Sequence, residues 1–133
     1  MKVIVDTMNA LHKTGVLPPD LAGMDVPGLV RTLSRGRWAR NQVLLVCDGI
    51  PWEDAPKTLP NGIQVTFSGH GVTADDVIAR VVSQSSISRQ LLVVTTDRAL
   101  QRQVKRLKSS TMDSKVFLQE LGLFISQKKM FLT

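Results

Sequence analysis

At 133 residues, with 43% apolar and 21% charged side chains, the chain has the size and balance of one globular domain, which excludes a disordered or fibrous protein. A formal net charge of +6 and a pI of about 10.0 point to an anionic partner, nucleic acid being the commonest for clustered Arg and Lys. The single cysteine, Cys47, excludes an intramolecular disulfide and a cysteine-built zinc site, and no apolar stretch approaches the ~20 residues that span a membrane.

In chain order, the first element is the apolar run Lys2–Val5, a strand. Only Val3–Val5 stand ahead of Asp6, too short for a signal-peptide core, so a cytoplasmic location is expected. Gly15–Gly28 reads as a long loop. After Asp25 a helix is predicted over Pro27–Ala39, with Leu29, Val30, Leu33 and Trp38 on its buried side. Val43–Cys47 is the second strand, and Cys47 within it reads as a buried structural thiol. A second long loop, Gly49–Gly62, precedes the third strand, Ile63–Phe67. Helical spacing of Val77, Ile78, Val81 and Val82 marks Ala74–Ser83, and the fourth strand is Leu91–Thr95. Leu100, Val104 and Leu107 mark a helix over Arg98–Leu107. A short strand near Thr111–Met112 and a helix over Ser114–Leu121, stopped by Gly122, complete the pattern. The tail from Leu123 to Thr133 has no decided form. Strands that are apolar throughout, alternating with helices, predict a central, mostly parallel sheet covered by helices on both sides.

The acids fall at particular places. Asp6 follows the first strand (VIVDTMN), Asp48 the second (VLLVCDG) and Asp97 the fourth (LLVVTTD), while Asp75 and Asp76 open a helix (GVTADDVIARVV). In a parallel sheet all of these lie at the carboxyl edge, where ligand sites form. Five of the eleven acids in the chain stand there. Each has a purely structural reading: Asp97 as an N-cap, Thr73 with Asp76 as a capping box, Asp6 and Asp48 as turn formers beside their loops. As a group, however, converging carboxylates repel unless a cation neutralises them. With Asn9 nearby and no thiolate in the cluster, the donors suit Mg²⁺ or Mn²⁺. Held by Asp6, Asp97 and one or both of Asp75 and Asp76, such an ion would serve phosphodiester hydrolysis. Asn9 would orient water or phosphate, and Thr96 would support the ligands from behind, with Thr95 read as an ordinary strand residue.

At these residues the sequence resembles the NYN domain family of the PIN-like nuclease group, specifically its YacP-like branch. The likeness runs through VIVDTMNALH, VLLVCDG, VTFSGHGVTADDVIARVV, LLVVTTDRALQ and MDSKVFLQEL. It implies a three-layer PIN-like (Rossmann-like) α/β domain over residues 1–122, with 123–133 a C-terminal tail. It further implies a divalent-metal endoribonuclease, with the metal role at Asp6, Asp76 and Asp97, Asp75 close behind, and Asp48 at a commonly acidic position. Asn9 matches the asparagine that the family places after its first aspartate, and His12 a position often occupied by histidine.

The resemblance implies RNA as the partner, where charge alone gives only nucleic acid, with the ribosome or tRNA as candidate associates. Arg98, Arg102 and Lys105 recur at i, i+4 and i+7 beside Asp97, and Arg31 and Arg35 lie on another helix free of acids. Both sets suit a phosphate backbone, and for any single arginine a solvated helix face is the plainer reading. Trp52 is the best candidate for base stacking, while Trp38 is expected in the core. His70, in SGHG, reads as a loop histidine. Two competing functions remain: a non-catalytic RNA-binding module of the same fold, and a doubly wound phosphotransfer domain. The second lacks a D-x-D after the first strand.

Overall fold

The computed structural model describes residues 2–13, 24–35, 38–51 and 59–121. Most of the Gly15–Gly28 loop, Trp52 and the 123–133 tail lie outside the described residues. The five strands are β1 (Lys2–Asp6), β2 (Gln42–Cys47), β3 (Ile63–Phe67), β4 (Leu91–Val94) and β5 (Ser110–Met112). The helices are α1 (Val26–Arg35), α2 (Ala74–Gln84), α3 (Arg98–Arg106) and α4 (residues 114–121). All four strand pairings are parallel, in the order β3-β2-β1-β4-β5, and no helix among the described residues is long and apolar enough to cross a membrane.

Side chains on a strand alternate between faces, and here each face has its own core. Val3 and Val5, Val43, Leu45 and Cys47, and Leu92 and Val94 pack on one face with α1 and with Phe117, Leu118 and Leu121 of α4. Ile4, Leu44 and Val46, and Leu91 and Val93 pack on the other with α2 and α3. The inner strands are therefore apolar without alternation because both faces are covered. Trp38 belongs to the first core, its ring 6.0 Å from that of Phe117.

Strand order explains where a site can form. From β1 the chain steps outward to β2 through α1 on one face. After β3 it crosses back through α2 on the other face to β4, on the far side of β1, and continues outward through α3 to β5. The direction of winding reverses between β1 and β4. The crevice outside the carboxyl ends of those two strands is where such sheets bind ligands.

Two local elements differ from expectation. The first helix ends at Arg35, not Ala39, and residues 38–40 form a turn; Gly36, a residue that ends helices, stands next in the sequence. The chain after β1 is a helical turn, residues 7–8 leading into a π-helix over Asn9–Lys13. No apolar periodicity announces so short a turn; side-chain bonds from Asn9 anchor it instead.

Candidate active site

Parity places the acids. Asp6 follows Ile4 on the α2 side of β1, Asp48 follows Val46 on the same side of β2, and Thr95 follows Val93 on β4. The contacts agree. Asp6, 3% exposed, shares a side-chain hydrogen bond with Asp75, in the first turn of α2. The Thr95 hydroxyl donates to Asp6 Oδ2 at 3.0 Å. Asp48 Oδ1 accepts the main-chain N–H of Ala74 at 2.7 Å, tying the end of β2 to the start of α2. Burial above all, then the hydrogen bond and like charge of Asp75, push the Asp6 carboxyl up from its ordinary 3.8 to about 7; Asp48 adds to the rise and the Thr95 hydroxyl opposes it.

Asp97 caps α3, its Oδ1 accepting the Leu100 N–H at 2.9 Å, while its own N–H donates to Thr95 Oγ1 at 3.1 Å. One hydroxyl thus ties Asp6 to Asp97. Thr95 is itself fixed: it is fully buried, its N–H donates to Met112 O, and its carbonyl accepts from Gln101 Nε2 at 2.7 Å. Asp76 lies in the same first turn of α2 as Asp75 but is exposed, and its N–H donates to the N-cap hydroxyl of Thr73 at 3.2 Å, as a capping box requires. The sequence ranks Asp76 ahead of Asp75; the structure sets Asp75 against Asp6.

Asn9 is buried, and its amide reaches across to β4. Its Oδ1 accepts from Thr96 N at 3.0 Å and from the Ser114 hydroxyl at 2.8 Å, and its Nδ2 donates to Thr96 Oγ1 at 2.6 Å. His12 is exposed at the far end of that turn, and His70 is exposed on the loop before α2. Arg98, Arg102 and Lys105 are exposed along α3, and Arg31 and Arg35 along α1. The two basic sets lie on opposite faces of the sheet. Sequence reasoning missed Gln101 and Ser114 and undervalued Thr95. The signal for Gln101 was a polar residue on the same helix stripe as Leu100 and Val104; nothing in the sequence marks Ser114.

Among the described residues, no three His, Cys, Asp or Glu side chains gather closely enough to form a ready metal trio. The donors nevertheless fit a hard divalent cation. They are all oxygen, and Asp6 and Asp75 are held together at a cost that a cation would relieve. Mg²⁺ in particular needs only one or two carboxylates and keeps several waters.

A doubly wound parallel sheet with Asp6 held against Asp75 at its switch point defines an α/β domain with a ligand crevice lined by acids. The YacP-like NYN domain family model matches residues 29–131, and the chain belongs to that family. The match begins beyond Asp6 and Asn9. Among solved structures the chain is similar to Rae1 (YacP) from Bacillus subtilis, with a TM-score of 0.68 at 20% identity over 99% of this chain and 79% of that one. The W164L mutant of the same protein gives 0.67 at 19% identity, covering 96% and 77%. These likenesses show the fold, a five-stranded parallel sheet flanked by helices. No curated protein is significantly similar in sequence to the chain.

Proposed function

We propose that the chain is a divalent-metal-dependent endoribonuclease that hydrolyses RNA phosphodiester bonds. Its family is one of nucleases, and the observation that carries the reading is the buried Asp6 carboxyl held against Asp75 at the switch point, with Asp48 close enough to raise it further. Asp6 and Asp75 are the central holders of Mg²⁺ or Mn²⁺, with Asp97 and Asp48 beside them and Asp76 on the solvent side. When bound, such an ion lowers the pKa of a water and stabilises charge on the phosphate and leaving oxygen.

The chain's own residues do the rest. Thr95 keeps the Asp6 carboxylate and the Asp97 turn in register through one hydroxyl. Asn9 braces the Thr96–Asp97 segment, and His12 stands further along the same turn. Arg98, Arg102 and Lys105 offer an exposed track for phosphates that starts beside Asp97, and Arg31 and Arg35 offer a second on the opposite face. Aromatic side chains for stacking are few, so grip on the backbone outweighs base readout.

The test is cleavage of a fluorescent RNA with Mn²⁺ or Mg²⁺ against a chelator. Asp6→Asn and Asp97→Asn are expected to abolish cutting while the circular dichroism spectrum stays native. Binding without cutting under every divalent metal would instead mark a non-catalytic RNA-binding module.

A further inference from the structure

Ser114 is fully buried, and nothing in the proposed reaction uses it. It opens α4, which Asp113 caps: the Asp113 carbonyl accepts from Phe117 N, and its Oδ1 accepts from Lys115 N at 2.8 Å. Phe117, Leu118 and Leu121 are buried in the core beneath α1, so core packing sets the place of the Ser114 hydroxyl. That hydroxyl donates to Asn9 Oδ1, a bond spanning 105 residues of chain, and the Thr96 N–H donates to the same oxygen.

A carboxamide oxygen has two lone pairs, and both are taken. Asn9 therefore has no acceptor left for a water, and its amide cannot turn over without setting its NH₂ against the Thr96 N–H. The orientation so fixed points Nδ2 at Thr96 Oγ1. Since Thr96 Oγ1 accepts there, its own O–H proton is left to donate elsewhere, at the half-buried end of β4 beside Asp97.

We propose that Ser114 is a positioning residue: it fixes the Asn9 amide and, through it, aims the Thr96 hydroxyl as a donor into the crevice between β1 and β4. The hydroxyl's recipient is a phosphate oxygen of the substrate strand, a point that rests on the nuclease reading. The chain is α4 to Asn9 to Thr96, with no direct contact between Ser114 and substrate.

The experiment compares Ser114→Ala, Asn9→Ala and the double variant, with Ser114→Cys, a near-isosteric weak donor, as the milder change. In metal-free protein, the Asn9 side-chain amide resonances are expected to shift and to exchange faster with solvent in Ser114→Ala, less so in Ser114→Cys. In the cleavage assay, Ser114→Ala should lower kcat about fivefold with KM unchanged, the rate equivalent of one neutral hydrogen bond. The double variant should fall no further than Asn9→Ala alone, because Ser114 acts only through Asn9. Unchanged Asn9 resonances in Ser114→Ala would overturn the proposal, as would losses that multiply in the double variant. If the unaltered protein cuts no RNA, the nuclease reading falls, while the amide resonances still decide whether Ser114 orients Asn9.

Discussion

An acid whose folded-state pKa lies above its unfolded one holds its proton longer in the folded protein. For Asp6 those values are about 7 and 3.8, so between them the folded state binds more protons and stability must fall as pH rises. The contribution is fully present below about pH 4 and is gone above pH 7, with a slope of at most about 1.4 kcal/mol per pH unit. Chemical denaturation in chelator at pH 5 and pH 7.5 should find the protein weaker at the higher pH. Asp6→Asn should flatten that difference, and millimolar Mg²⁺ should offset it in the unaltered protein alone. At Cys47, also buried, desolvation pushes the thiol up to about 11, the nearby Thr7 hydroxyl opposing the rise only in part. The folded protein should therefore resist thiol-labelling reagents at pH 8, and labelling should follow unfolding; fast labelling of native protein would contradict the placement.

At the scale of elements, α3 combines two jobs that substitution can separate. Asp97 caps its N-terminus and is linked to Asp6 through the Thr95 hydroxyl. Asn caps a helix as well as Asp does, whereas Ala loses the bond. Asp97→Ala should lower stability by about 1 kcal/mol, and Asp97→Asn by only a few tenths, as measured by denaturant midpoints. Both should lose cleavage, so an active Asp97→Asn would reduce this residue to a cap. Farther along α3, each cation that neutralises one phosphate of a single strand contributes about 0.7 to the slope of log affinity against log salt. Arg102→Gln should reduce that slope by about this amount. A short oligonucleotide reaches one face only, so Arg31→Gln, on the other side of the sheet, should then leave it unchanged.

At the scale of the molecule, two cores pressed on the two faces of one sheet hold the site's frame. Phe117 is fully buried against Trp38 and ties α4, and with it Ser114, to the first core. Phe117→Ala should cost about 3–5 kcal/mol in denaturant unfolding, a large part of the roughly 5–15 kcal/mol that stabilises a domain. The loss would reach the site as well as the core, since α4 brings the Ser114 hydroxyl to Asn9.

The strands, the helices and the grouping of five acids at one sheet edge were legible in the chain because each depends on local pattern. Apolar runs of strand length, helical spacing of Val77, Ile78 and Val82, and an acid directly after a strand need no knowledge of distant residues. Parity along β1 and β2 even sends Asp6 and Asp48 to the same face. Only the tertiary structure decided which acid of the Asp75–Asp76 pair meets Asp6, because adjacent residues on a helix point about 100° apart and the angle at which α2 lies on the sheet selects between them. It likewise separated the basic faces of α1 and α3, since winding order places those helices on opposite sides. And it joined Asn9 to Thr96 and Ser114, bonds between residues 87 and 105 positions apart that no local pattern encodes.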